Sequence, residues 1–294
     1  MSKTLFLTGT SGFIGKNLVS FFDEEYQIKS FVRNGDLLIN EDIVIHLAGK
    51  AHDVKNTSTP KEYYEVNTEL TKKVFDAFIL SHAKVFITLS SVKAAADEVE
   101  GELNEAFIPN PMNHYGRSKL LAENYILSRD IPPGKRVYIL RPCMIHGAGN
   151  KGNLNLLYKF VSKGIPWPLG AFDNKRSFCS IDNLLFILRE LIENEYISSG
   201  IYNISDDEPI STNELISFIA DSKNRKSRIW KISKFWIVFM VKMGDFLRLP
   251  MNSERLQKLT ESYMVSNNKI KTAIGKPLPI SGKEGLLKTF NSFQ

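Results

Sequence analysis

Apolar and polar positions over the first 140 residues follow two alternating periods. Thr4–Leu7, Ile28–Val32, Ile43–Ala48, Val85–Leu89 and Arg136–Leu140 are short, largely apolar runs of strand length. Between them, Phe13, Ile14, Leu18, Val19 and Phe22 recur at helical spacing over about Gly12–Asp23, and longer helical patterns cover about Pro60–Ser81 and Met112–Arg129. This alternation predicts an α/β fold, a doubly wound parallel sheet with helices on both faces. One link is short: Ile43 follows Arg33 by only ten positions, too few for a crossover with its own helix. Either a crossover is deleted there, or the next strand lies on the far side of the first, across the switch point. Beyond Gly147 the pattern shifts to helices with short strands, punctuated by Pro166, Pro168, Pro209, Pro250, Pro277 and Pro279. The expected division is a sheet domain over 1–150 and a smaller α/β ligand-binding lobe over 151–294, with 176–204 returning to the sheet.

The turn after the first strand carries glycines spaced G-x-x-G-x-x-G at Gly9, Gly12 and Gly15. Glycines there let the backbone turn tightly and approach a pyrophosphate, while the helix start offers free N–H groups. An ordinary strand-to-helix turn has the same look, and the position between the first strand and first helix favours a dinucleotide. Apolar content of 43% and charged content of 24% are those of a globular protein, and the net charge of +6 suits an anionic small molecule. The basic residues read as scattered, so nucleic acid is not expected as a partner. Two cysteines, Cys143 and Cys179, are too few for a disulfide framework or zinc site, which suits the cytoplasm and no metal. Met1-Ser2-Lys3 leads straight into the first strand, so no signal segment is expected. The run Phe235–Val241 is very apolar but only seven residues long, far short of the roughly 20 that span a bilayer. It reads as a buried helix, with contact to a membrane surface or partner as the lesser alternative.

Candidate chemistry lies mid-chain. Tyr115 and Lys119 are four apart, on one face of a predicted helix. A phenol of pKa near 10 carries protons poorly at neutral pH. A nearby ammonium and a positively charged nicotinamide favour the phenolate, which can then act as general acid or base. Such a pair is also common on helix surfaces. Ser90-Ser91, at the end of the Val85–Leu89 strand, adds a hydroxyl where parallel sheets bind ligands, although a turn or helix cap would use the same residues.

With these segments in order, the chain resembles the extended short-chain dehydrogenases/reductases, of the NAD-dependent epimerase/dehydratase family that acts on nucleotide sugars. Thr8–Gly15 matches its T-G-x-x-G-x-x-G, His46-Leu47-Ala48-Gly49 its H-x-A-[AG] strand end, and Asn67 the Asn on the following helix. Ser91, Tyr115 and Lys119 match its catalytic triad, Arg141-Pro142 with Gly147-Ala148-Gly149 its R-P turn (His146 standing where Tyr is usual), and Arg176–Leu184 its diphosphate-binding segment. The resemblance implies a Rossmann-type sheet in which Gly9, Ser11, Gly12, Phe13 and Ile14 cradle the pyrophosphate. Leu47, Ala48 and Gly49 would line the nicotinamide ribose and Lys119 bond its hydroxyls, with Asn67, Leu89 and Pro142 in the same site. Ser91 and Tyr115 would meet the substrate, and Asn153, Arg176 and Arg255 would bind the nucleotide-sugar side. Cys143 reads as a packed thiol and His146 as a structural ring.

Ser91 is followed by Val92-Lys93-Ala94, without the Asp-Glu pair of the family's dehydratases. Ser90–Lys93 and Gly164–Gly170 look more like reductases of UDP-4-keto-6-deoxy-N-acetylhexosamines in surface-polysaccharide synthesis, so a 4-reductase is favoured. The alternative is a UDP-sugar 4-epimerase with tightly held NAD, and a minor one is a non-catalytic dinucleotide-binding regulator. Arg33, at the end of the second strand, favours NADP(H), whereas Asp36 or Asp42 folding back onto the ribose would restore NAD(H). A homodimer is implied, through the helices carrying Tyr63, Tyr64, Phe75, Phe78, Leu120, Leu121 and Ile126.

Overall fold

The five apolar runs form adjacent parallel strands, joined by a sixth from far downstream. The computed structural model describes residues 3–31, 35, 37–50, 59–150, 152–246 and 253–293; Arg33, Asp36 and the side chain of Arg255 lie outside the described residues. In chain order come β1 (Thr4–Thr8), α1 (Phe13–Phe22), β2 (Gln27–Ser30), β3 (Ile43–His46) and α2 (Pro60–Tyr63). A π-helical stretch (Tyr64–Glu69) runs directly into α3 (Leu70–Leu80), followed by β4 (Val85–Leu89), a 3₁₀ turn (Val92–Ala94), β5 (Glu102–Leu103), α4 (His114–Leu127) and β6 (Arg136–Pro142). Then follow β7 (Met144–His146), α5 (Asn153–Ser162), β8 (Phe178–Ser180), α6 (Ile181–Glu193), β9 (Gly200–Ile204) and α7 (Thr212–Ser222). The chain closes with α8 (Lys234–Phe246), α9 (Ser253–Thr260), β10 (Met264–Val265), α10 (Asn268–Ile274) and α11 (Gly282–Asn291).

The sheet order is β2-β1-β3-β4-β6-β9, all parallel. The short link after β2 is thereby explained: β3 pairs with β1 on the side away from β2, across the switch point. Neighbouring residues on a strand face opposite ways, which splits the core in two. Leu5, Leu7, Ile43, Ile45 and Ile87 pack with Leu18 and Phe22 of α1 and Leu184 and Leu188 of α6. On the other face Phe6, Val44, Phe86 and Ile139 pack with Val74, Phe75 and Phe78 of α3 and Ile126 of α4. The second lobe has two smaller cores. One joins α5, α7 and α11 through Leu154, Tyr158, Leu215, Ile219, Leu286 and Phe290; the other seats α8 and α9 on Trp167, Leu169 and Ile216.

Two expectations change. The Phe235–Val241 run is not a buried helix: within it only Ile237 and Val241 are buried, because α8 lies at the lobe's rim and meets it along one narrow stripe. And of the seven apolar residues read as an interface, Tyr63, Phe75, Phe78 and Ile126 are buried inside the protomer, while Tyr64 and Leu120 are half-buried and Leu121 is exposed. Most of the apolar surplus on these helices is used by the sheet and by α4 lying against the π stretch.

Candidate active site

The glycine turn, the loop after β3 and the N-terminal half of α4 meet at the C-terminal ends of the strands. Gly9 has φ +77°, and a Cβ there would stand 2.7 Å from the Ala48 nitrogen, so the first turn and the β3 loop touch backbone to backbone. A Cβ at Gly15 would strike the Gly9 carbonyl, which keeps α1 tight against the turn. Gly12 caps α1 without any side-chain capping bond, leaving the first N–H groups of the helix to other partners. Ser11 is exposed and Phe13 and Ile14 half-buried, so this helix start is open to solvent.

Ser91 ends the β4 segment and accepts from the Lys93 amide at 3.2 Å; Tyr115, partly exposed, is hydrogen-bonded to Ser91. The cap Asn113 starts α4 by accepting from the Gly116 amide at 2.8 Å, and Gly116 packs so closely on the Lys93 carbonyl that a Cβ would not fit. Those two constraints aim Tyr115 at Ser91. Burial pushes the Tyr115 phenol above its usual value, and the Ser91 bond pulls it back only in part. The expected lowering by Lys119 is therefore not a feature of the protein alone. Lys119 points elsewhere: its Nζ donates to the Leu89 carbonyl at 2.8 Å, and burial lowers its pKa to about 8 against the opposing pull of Glu123. Leu89 thus takes part through its backbone, with its side chain buried. Gly49 lies tight against Lys119 and Asn67, where a Cβ would stand 3.0 Å from Nζ and 3.2 Å from Asn67 Oδ1.

Asn67, fully buried in the π stretch, accepts from the Lys50 amide at 2.7 Å and donates to the Lys50 carbonyl at 3.1 Å and to Ser118 at 3.0 Å. Both amide hydrogens are used within the protein, so Asn67 pins the Leu47–Lys50 loop against α4 rather than reaching outward. His46 supports the same loop. The Ala48 N–H donates to Thr8 Oγ1 at 3.0 Å, Thr8 to His46 Nδ1 at 2.8 Å, His46 Nε2 to Thr71 Oγ1 at 3.0 Å, and Thr71 to the Asn67 carbonyl at 2.8 Å. This directional chain sets the Nε2–H tautomer. Burial, with the nearby charge of Lys119, lowers the His46 pKa to about 3, so the ring is neutral.

A charged network lies beneath Lys119. Arg141 donates from Nε to both oxygens of Glu123 at 2.9 and 3.2 Å, Ser90 bonds the same carboxylate, and each side chain of the pair is 2% exposed. Ser90, read with Ser91 as a strand-end hydroxyl for a ligand, is instead bonded to Glu123. Glu123 was not anticipated as a site residue; the signal was the Lys119-x-x-x-Glu123 spacing, which places acid and base on one helix face. Pro142 is buried at the end of β6, where it pairs with Ile204.

Toward the second lobe, Lys93 donates to the Asp97 carbonyl at 2.6 Å and lies 4.0 Å from the centre of the Tyr263 ring. Tyr263 in turn donates to the Ala96 carbonyl at 2.7 Å and pairs with Arg176 through a backbone bridge. Arg176 donates to the Glu261 carbonyl at 3.1 Å, and burial lowers the pKa of both Arg176 and Lys93. Lys93 lies in the turn that Ser91 caps, within reach of the charge of Arg176, and the sequence did not mark it as a site residue. Asn153 opens α5 at an exposed position. His146 is fully buried, bonded to Thr289 at 2.9 Å and facing Asp206, and Cys143 is a buried thiol with its pKa pushed up by burial, so both are structural.

A parallel sheet with a glycine-rich first turn, and with Ser91, Tyr115 and Lys119 gathered near its strand ends, is a Rossmann-type arrangement. The chain belongs to the NAD dependent epimerase/dehydratase family, whose profile matches residues 5–205. It is 30% identical to the UDP-glucose 4-epimerase of Vibrio cholerae, covering 100% of this chain and 96% of that one. It is 26% identical to the GDP-6-deoxy-D-mannose reductase of Pseudomonas aeruginosa, over 75% of this chain and 80% of that one. The structure of RMD from Pseudomonas aeruginosa complexed with NADPH shares the fold, with a TM-score of 0.76, 23% identity and coverage of 100% of this chain and 98% of that one. The chain is therefore an enzyme of the nucleotide-sugar epimerases and reductases that works with a nicotinamide dinucleotide. Among the described residues no helix is long and apolar enough to cross a membrane.

Proposed function

We propose that the enzyme oxidises or reduces C4 of a hexose carried on a nucleoside diphosphate, UDP being favoured, with Tyr115 as proton carrier. The supporting observation is the Ser91–Tyr115 hydrogen bond at the strand end, with Lys119 one turn further along the same helix. The dinucleotide, when bound, supplies or takes the hydride. Gly9, Ser11, Gly12, Phe13 and Ile14 hold its pyrophosphate, while Leu47–Gly49 and Lys119 hold the nicotinamide ribose. Ser91 holds the C4 oxygen and donates to the phenolate as it forms; a cation next to the phenol lowers its pKa from the raised value of the free protein. Arg176 and Lys93 supply positive charge toward the diphosphate, and Asn153 and Arg255 complete the sugar-nucleotide side.

Epimerisation is the first reading, because the relative matched from end to end, substrate lobe included, is a 4-epimerase, whereas the reductase matches three quarters of the chain. Reduction is the second reading, supported by the Ser90–Lys93 and Gly164–Gly170 segments, with Arg33 directing NADP(H). Purified enzyme given UDP-glucose or UDP-N-acetylglucosamine without added dinucleotide should form the 4-epimer, followed by NMR. Consumption of NADPH with UDP-4-keto sugars, and no epimer, would favour the reductase. Tyr115→Phe should lower either turnover about 10²–10⁴-fold with little change in dinucleotide affinity; near-normal turnover would remove Tyr115 from its role. A cytoplasmic homodimer is part of this proposal, through the outer face of α4 where Leu121 is exposed, and a mass of one protomer by light scattering would count against it.

A further inference from the structure

Seven of the eighteen large hydrophobic side chains exposed among the described residues fall between Trp230 and Met243. Among the described residues of α8 the buried ones are Ile237, Val241 and Gly244, which seat it on the lobe. Its outer side carries Phe235, Phe239 and Met243 in one row and Trp236 and Met240 in the next, with Phe235 70% and Trp236 57% exposed. A contiguous apolar surface of this kind marks contact with a protein or a membrane.

The charge around it selects between them. From Ser222 to Gly244 the chain has seven Lys and Arg and no Asp or Glu, so this stretch alone exceeds the net +6 of the whole protein. The basic residues are thus scattered elsewhere and concentrated here, which the sequence reading missed. Lys231, Lys234 and Lys242 are exposed on or beside α8, and Lys223, Arg225, Lys226 and Arg228 line a cavity of about 670 Å³ just before it. Ile216 ties the two together, since it lines the cavity and packs under α8. A two-fold pairing of copies through this face would bring two such cationic runs together, which like-charge repulsion opposes. A helix with Trp, Phe and Met on one side and lysines at its edges is the form that lies in the plane of a lipid interface.

We propose that α8 and the basic segment before it dock this enzyme on an anionic lipid bilayer, its aromatic side chains entering the interface and its lysines and arginines holding lipid phosphates. The helix is too short to cross, so the attachment is peripheral and reversible. This inference does not depend on the reaction proposed above.

The test is sedimentation of the full chain with phosphatidylglycerol vesicles and, separately, with phosphatidylcholine vesicles. The chain should pellet with the first and not the second, less so as salt rises, and tryptophan emission should shift to the blue as Trp230 and Trp236 leave water. Trp236→Glu/Phe239→Glu should abolish pelleting, while Lys231→Gln and Lys234→Gln should each weaken it about fivefold, with circular dichroism and turnover on free nucleotide sugar unchanged. The lysine variants, at exposed positions, keep the test open should the double glutamate variant misfold. The proposal fails if phosphatidylglycerol vesicles leave the chain in solution, if phosphatidylcholine pellets it equally, or if all variants pellet as the parent does. It fails too if light scattering finds an oligomer that Trp236→Glu/Phe239→Glu dissociates, since a second copy then covers the face.

Discussion

Two buried networks support the candidate site from either side, and they are made of opposite materials. Under β4 and β6, Arg141, Glu123 and Lys119 bring full charges to positions nearly free of solvent. Under β1 and β3, Thr8, His46 and Thr71 form a wholly neutral chain that ends on the Asn67 carbonyl. Burial disfavours charge on both sides, and the difference lies in what answers it. For Lys119 the nearby Glu123 opposes the effect of burial; for His46 burial acts first and the charge of Lys119 adds to it, so the ring serves as a neutral linker. In the function proposed above, the charged side holds the reacting groups and the neutral side holds the loop that receives the cofactor.

The sharpest way to break this contrast is Arg141→Met, which leaves Glu123 buried beside too little positive charge. A loss of about 3–5 kcal/mol in denaturant unfolding is expected, and a loss below 1 would show that the pair is solvated. Lys119→Met should act in the opposite sense. Its folded pKa of about 8 lies below the usual 10.5, so the folded state sheds its proton first; the full cost is present below pH 8 and is relieved as pH rises toward 10.5. At neutral pH the Met variant should gain up to about 3 kcal/mol of stability while turnover collapses, which unfolding curves and assays read together.

On the neutral side, His46 makes the fold sensitive to acid. With a folded pKa of about 3 against 6.5 unfolded, its contribution is present above pH 6.5 and is lost as pH falls below that. The loss is about 1.4 kcal/mol per pH unit, roughly 2 kcal/mol by pH 5, and His46→Gln should flatten that slope. Smallest is Thr71→Val, which leaves His46 Nε2–H without a partner and should cost about 1–2 kcal/mol. If Thr71→Val proves as damaging as Arg141→Met, charge is not what distinguishes the two networks.

Much of the sheet was legible because strand and helix periods differ and the strands are short and strongly apolar. Five of its six strands could be read to within a few residues, whereas β9 was not, since Gly200–Ile204 carries a glycine and an asparagine within five residues. The triad was legible as spacing: Tyr115 and Lys119 share a helix face by sequence alone, and Ser91 stands at a strand end. The direction of Lys119 was not, because the Leu89 carbonyl that accepts its hydrogen bond lies thirty residues away in the chain. Asn67 was marked as a site residue, but only the fold shows both its amide hydrogens spent on Lys50 and Ser118. Arg33, on which the NADP reading turned, lies outside the described residues.

By itself, the amino-acid sequence determined most of the elements, the glycine turn and the Tyr115/Lys119 pair proposed to carry the proton, since these depend on local periodicity and on spacings of three or four residues. Tertiary structure alone decided which groups are charged, which helix is covered and which is bare. Those properties depend on burial, and burial is set by residues distant in the chain. The apolar run of α8 shows the limit most plainly: seven residues of near-uniform hydrophobicity look like core until the lobe is assembled, and then only the narrow stripe around Ile237 and Val241 has anything to pack against.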